Sequence, residues 1–248
     1  MKGLPDIEGV IDRRLLLNFR VDPDVATRIV PPPFRVNTSK GPAIAGICLI
    51  RLTELRPRGF PRHLGITTES AAHRFAVEWE TDDTLGHGVY IPRRDTDSRL
   101  SVLLGGRLFP GEHHRARLDA SEGNQQYDLE MNSVDGNTRV AVNAREVHEL
   151  PSGSVFRDLD DASDFFRRDS LGYSRTRDPD RYDGLELEVA QWEIDPLAVE
   201  HVGSSFFDDP RLFPPGSVEF DCALSMRRTP ACWHPRPSLT TAVRERTR

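Results

Sequence analysis

Ten short runs, each apolar or alternating and four to thirteen residues long, follow one another between residues 15 and 226. Clusters of Gly, Asn, Asp and Pro separate them. That spacing restricts the chain to a barrel or sandwich, because each run is too short to bury much alone and must pair with its neighbours. The fold class expected is therefore mainly β.

The runs occupy residues 15–19, 43–55, 73–79, 88–91, 113–118, 127–132, 139–147, 185–194, 197–202 and 218–226. The second, AIAGICLIRLTEL, reads as a buried central strand. In residues 73–79, His73, Phe75, Val77 and Trp79 share one face and Arg74, Ala76 and Glu78 the other. Three short helices interrupt the series. One opens at Asp22-Pro23 and ends at Pro31-Pro32-Pro33, one lies around residues 97–104, and one around 158–167, where acidic residues precede and arginines follow. The chain reads as a single domain over residues 1–234, followed by a polar, basic tail at 235–248 that is expected to be disordered.

Charge narrows the partners. A net charge of −6 and a pI near 5.8 give no general attraction to nucleic acid or an anionic membrane. No apolar window approaches the length of a membrane span, and residues 1–14 lack a signal-peptide core. Cys48, Cys222 and Cys232 form neither an even set nor a CxxC pair, which fits a reducing, cytoplasmic setting.

Several ordered segments carry a resemblance: RRLLLNFRVD at 13–22, ESAAHRFAVEWE at 69–80, GVYIPRRDTDSRL at 88–100, GGRLFPGEHHRARL at 105–118 and SLGYSRT at 170–176. SSFFDD at 204–209 and FDCALSM at 220–226 extend it, so it spans about residues 10–230. Together they resemble the bacterial family known as domain of unknown function 2071, which is grouped with acetoacetate decarboxylase-like proteins. The resemblance implies a closed double-layered β-barrel around a small-molecule cavity, assembled as a homo-oligomer. In the decarboxylases a Gly-Arg pair precedes two adjacent lysines, one of which forms a Schiff base with a keto acid. Here Gly106-Arg107 is followed by His113-His114, and an imidazole forms no stable imine. The only lysines, Lys2 and Lys40, lie at the terminus and in a polar loop. Schiff-base decarboxylation is not expected.

The histidine pair becomes the leading catalytic candidate, since an imidazole titrates near neutral pH. Strand alternation favours His114 as the inward residue, whereas segment matching favours His113, and a bulge at Gly111 would reverse the phase. Glu69 and Glu78 are candidate carboxylate partners, with a surface ion pair as the alternative role for Glu78. Arg93, Arg94 and Arg107 suit bidentate capture of a carboxylate, and Tyr173 and His73 are candidate substrate contacts. No metal set is expected, because no His-x-His occurs and Glu112 with His114 has no third ligand. No nucleotide loop occurs either, so no cofactor is expected.

The sequence therefore predicts a barrel that binds a small carboxylate or keto compound as an acidic ligand, with an acid/base enzyme of lyase, isomerase or hydratase type as one form. The alternative form is a non-catalytic small-molecule-binding or stress-response protein with the same cavity.

Overall fold

A computed structural model describes residues 4–81, 84–104 and 110–241. Twelve strands and three helices run in the order β1 (Ile7–Val21), α1 (Pro23–Ile29), β2 (Arg35–Val36), β3 (Ala43–Pro57), β4 (Ile66–Glu80), β5 (Leu85–Thr96), α2 (Arg99–Leu104) and β6 (His114–Gly123). They continue through β7 (Gln126–Ser133), β8 (Arg139–Glu146), α3 (Leu159–Arg168), β9 (Leu171–Arg175), β10 (Arg181–Val189), β11 (Asp195–Ser204) and β12 (Val218–Thr240).

The strands form one sheet that closes on itself twice. The larger ring passes through β5, β6, β7, β8, β11, β12, β1, β3 and β4, and the β4–β5 pairing returns it to its start. The smaller ring passes from β5 through β9 and β10 to β12, then back along β1, β3 and β4. Five strands, β1, β3, β4, β5 and β12, are thus a wall common to both rings. Since successive side chains point to opposite faces, each wall strand sends one set of residues into each compartment. On β1, Leu15 and Leu17 join the larger core with Phe75, Tyr127 and Met131, whereas Arg14 faces the smaller ring.

Local chemistry explains the helices. Asp22 caps α1 by accepting from the amides of Asp24 and Val25, and Pro23 supplies the first helical position. Asp158 caps α3 in the same way through the Asp161 amide. Acidic residues then occupy the first turn of α3 and Arg167 and Arg168 the last. Ala162, Phe165 and Phe166 form its buried face and join a second apolar cluster with Leu16, Ile44 and Cys222, on the face of the wall that carries Arg14.

Charged side chains cross the interior of the larger ring. Glu122, near the tip of the β6–β7 hairpin, reaches Arg13, Arg51 (2.9 Å) and Arg227 (3.2 Å) on three wall strands, while Glu69 accepts from Arg13 at 2.6 Å and Arg51 at 2.5 Å. Arg13 is fully buried.

Two expectations need correction, and one strand was not anticipated. Residues 235–240 are no loose tail: they extend β12 and pair with β10 from Leu185↔Pro235 to Arg181↔Thr240, because Pro235 and Pro237 can sit in a strand whose other side needs no donor from them. Residues 171–175, not among the ten runs, form β9 between β5 and β10. The strand at 185–194 ends at Val189.

Candidate functional site

The smaller ring holds a cavity of about 170 Å³. Ile50, Ile91, Leu185, Leu187 and Trp233 give it apolar walls, and Arg14, Arg74, Arg94, His113 and Asp169 line it with the hydroxyl residues Thr68, Ser70, Ser101 and Ser170. The volume is comparable to that of an engineered cavity of about 150 Å³ that binds benzene.

Arg74 comes from the face of β4 that alternation marks as polar. That face points into the smaller ring. Gly46 sits opposite Arg74, and a Cβ there would come within 2.5 Å of the Leu17 carbonyl oxygen and 3.2 Å of Asn18 Oδ1. With no side chain in the way, Arg74 Nη2 donates to Asn18 Oδ1 at 2.7 Å and the guanidinium lies over the Phe166 ring at 5.0 Å. Its Nε is buried without a hydrogen-bond partner. Burial pulls the Arg74 pKa down to about 10, which still leaves it charged at neutral pH.

Arg94 reaches the same compartment through an irregularity in β5. Its pairing with β4 shifts between His73↔Arg93 and Phe75↔Tyr90, so β5 carries an extra residue there. Val89 and Ile91 face the cavity before the shift, and Arg94 faces it afterwards. Arg94 Nε donates to Ser174 Oγ at 2.7 Å, and burial lowers its pKa to about 10. Arg14 donates to Cys48 Sγ at 3.4 Å and stacks over Trp192, with Nη1 buried and without a hydrogen-bond partner.

Asp169 follows the last turn of α3, where the negative end of the helix dipole disfavours a carboxylate. Both its oxygens are buried without a hydrogen-bond partner, and Arg168 Nε stands 3.6 Å from Oδ1. Burial raises its pKa to about 6, with Arg168 and Arg74 opposing the rise. His113 Nε2 donates to the Pro110 carbonyl oxygen at 3.2 Å. Burial, with Arg94 nearby, lowers its pKa to about 4, so the imidazole is neutral at pH 7.

Of the residues singled out in the sequence, His113 and Arg94 line the cavity. His114 does not. The strand begins at His114 after a positive-φ glycine, Gly111, and its Nδ1 lies 3.6 Å from Asp135 in an ion cluster with Arg93. Arg93 is spent on Asp95 and Asp135 at 2.8 and 2.9 Å. Glu69 is tied to Arg13 and Arg51 on the larger-ring side, and Glu78 stands 3.6 Å from His87. His73 is fully buried in the larger core, 3.2 Å from Ser204 Oγ, and burial drops its pKa to about 3. Tyr173 packs against Trp79 and Phe34 and donates to the Pro237 carbonyl. Arg107 lies outside the described residues. The sequence reading missed Arg14, Arg74 and Asp169; the available signal was three ionisable residues beside apolar runs, at Arg14-Leu15, His73-Arg74-Phe75 and Phe166 to Asp169.

The fold is that of acetoacetate decarboxylase-like proteins. Similar structures include an enduracididine biosynthesis enzyme, MppR, complexed with pyruvate, at 13% identity and a TM-score of 0.58 over 98% of this chain and 92% of that one. Acetoacetate decarboxylase from Legionella pneumophila gives 10% identity and a TM-score of 0.60, covering 96% and 87%. An acetoacetate decarboxylase-like enzyme from Sphingomonas wittichii RW1 gives 10% and 0.57, covering 96% and 93%. Residues 11–224 match the family of uncharacterised conserved proteins called domain of unknown function 2071, and the chain belongs to that family. No curated protein matches the sequence.

Proposed function

We propose that this chain binds a small carboxylate or keto acid with an apolar body in the smaller ring, and that Asp169 exchanges a proton with it without any imine intermediate. One observation carries the reading: Arg14, Arg74 and Asp169, which line a predominantly apolar cavity, carry buried polar atoms without a hydrogen-bond partner. A buried donor without a partner costs about 1–3 kcal/mol, which a ligand carboxylate would recover. Arg74 and Arg94 would hold the anion, and Asp169, with a pKa near 6, is protonated or ionised according to its neighbours and so suits acid/base work. His113 is neutral at pH 7 and fits a hydrogen-bonding role better than a general base.

The absence of an imine rests on the cavity lining, which contains no lysine among the described residues. Lys40 is engaged with Asp161 at 2.6 Å. The fold neighbour complexed with pyruvate supports a keto acid as the ligand class.

The test is a thermal-shift screen against keto acids, carboxylates, phenols and neutral isosteres, run with Arg74→Gln, Arg94→Gln and Asp169→Asn and with His114→Ala as control. Ligand binding to the folded state raises the melting temperature by mass action. Carboxylates are expected to shift the wild type and the His114 variant and to lose at least about tenfold in affinity in the arginine variants, the loss of one charged contact. Borohydride added with the best keto acid should leave the protein mass unchanged. Equal response to neutral isosteres, or a reduced adduct, would sink the reading.

A further inference from the structure

Near the end of β12, the face turned away from the cavity carries a second group of potential ligating side chains. Cys232 and His234 are two residues apart on β12 and so share a face, opposite to Trp233 and Pro235, which line the cavity. Asp6 immediately precedes Ile7, which pairs with Trp233. One donor atom from each of Asp6, Cys232 and His234 lies within 4.8 Å of the other two, and all three residues are half-buried.

His234 is held on both sides. Its Nδ1 stands 3.1 Å from Asp6 Oδ1, and its Nε2 2.9 Å from Glu188 Oε2 on β10. Arg58 binds the other oxygen of Asp6, Oδ2, at 3.3 Å, leaving Oδ1 turned toward the cluster. A histidine whose far nitrogen donates to a carboxylate presents a fixed lone pair at the near one, which is how metal-ligating histidines are oriented.

We propose that Asp6, Cys232 and His234 bind a divalent cation of the zinc class, with Glu188 as the residue that positions His234. The donor set of one thiolate, one imidazole and one carboxylate is that of a borderline-soft cation, and neither calcium nor magnesium takes sulfur. Tetrahedral bonds of about 2.0–2.3 Å place ligand atoms about 3.3–3.8 Å apart, a spacing within reach of side-chain rotation here. Two ligands come from a strand paired with β10 at both positions and with β1 at Cys232, so the backbone there is already ordered. Water completes the fourth position. On binding, the cation takes the place of the thiol proton, which passes to solvent, and the imidazole binds in its neutral form.

Without a cation, His234 is held by Asp6 and Glu188, and the Cys232 sulfur is not among those contacts. The decisive probe is therefore the sulfur. Titration of the full chain with cobalt(II) is expected to give a thiolate-to-metal charge-transfer absorption that saturates at one cobalt per chain and disappears when zinc is added. Cys232→Ser should abolish the band, His234→Gln and Asp6→Asn should weaken cobalt binding at least about tenfold, and Glu188→Gln should weaken it by about tenfold as a positioning change. Cys48→Ser and Cys222→Ser should leave the band intact, and circular dichroism confirms that each variant is folded. No charge-transfer band in the wild type, or one that survives in Cys232→Ser, overturns the proposal.

Discussion

Asp169 and His73 are buried ionisable groups whose effects on stability run in opposite directions with pH. The folded state raises the Asp169 pKa from 3.8 to about 6, so its stabilising contribution is complete below pH 4 and is lost as pH rises through 6. Replacing it with a neutral isostere removes that loss. Asp169→Asn is expected to stabilise the protein at pH 8 by on the order of 3 kcal/mol and to have little effect at pH 4, as read by urea melts at the two pH values. An equal effect at both would mean that Asp169 is not perturbed. The ionised form also repels a bound carboxylate, so anion affinity should strengthen as pH falls through about 6 and lose that dependence in the variant. His73, lowered from 6.5 to about 3, favours the fold above pH 6.5 and ceases to do so as the medium is acidified toward 3. The sequence reading reached His113 and Arg94 because both stand in segments where the family likeness is strong. It passed over Arg74 because alternation separates two faces without telling that both are interior.

Elements place these residues through a few irregularities. Gly111 has a positive φ, and a Cβ there would come within 2.4 Å of the Ser174 side chain on β9. Gly111→Ala should push the segment carrying His113 away from Arg94 and Ser174 and reduce ligand affinity more than stability, which isothermal titration beside a thermal melt would separate. The β6–β7 hairpin turns at Asn124-Gln125 with φ of 50° and 63°, a conformation that suits glycine at the second position better than glutamine. Gln125→Gly is expected to raise stability by about 0.5–1 kcal/mol, measured by denaturant unfolding. Strand existence was legible, because β3, β4 and β7 have clean apolar or alternating patterns and strong turn residues between them. The extra residue in β5, which decides where Arg94 points, was not, since Pro92-Arg93-Arg94 has no pattern that marks a register shift.

At the scale of the molecule, the two rings differ in how they are held. The larger ring is filled by apolar packing and crossed by the Glu122 and Glu69 ion pairs; the smaller ring depends on β9, β10 and the last residues of β12. Stopping the chain after His234 removes the pairing from Pro235 to Thr240 while sparing the β11–β12 pairs at residues 223–225. The shortened protein should keep its β-sheet circular dichroism and lose carboxylate binding; retention of binding would show that the smaller ring closes without that segment. That a barrel forms was readable from run lengths and turns. That it closes twice was not, because no local pattern records that one strand serves two compartments.

Both closures wait on the same element. β12 stands between β11 and β1 in one ring and between β10 and β1 in the other. During synthesis, then, every earlier strand can emerge and pair with its neighbour, yet neither compartment can be sealed until residues 218–240 have left the ribosome. The cavity and the core come into existence together, once that one strand is in place.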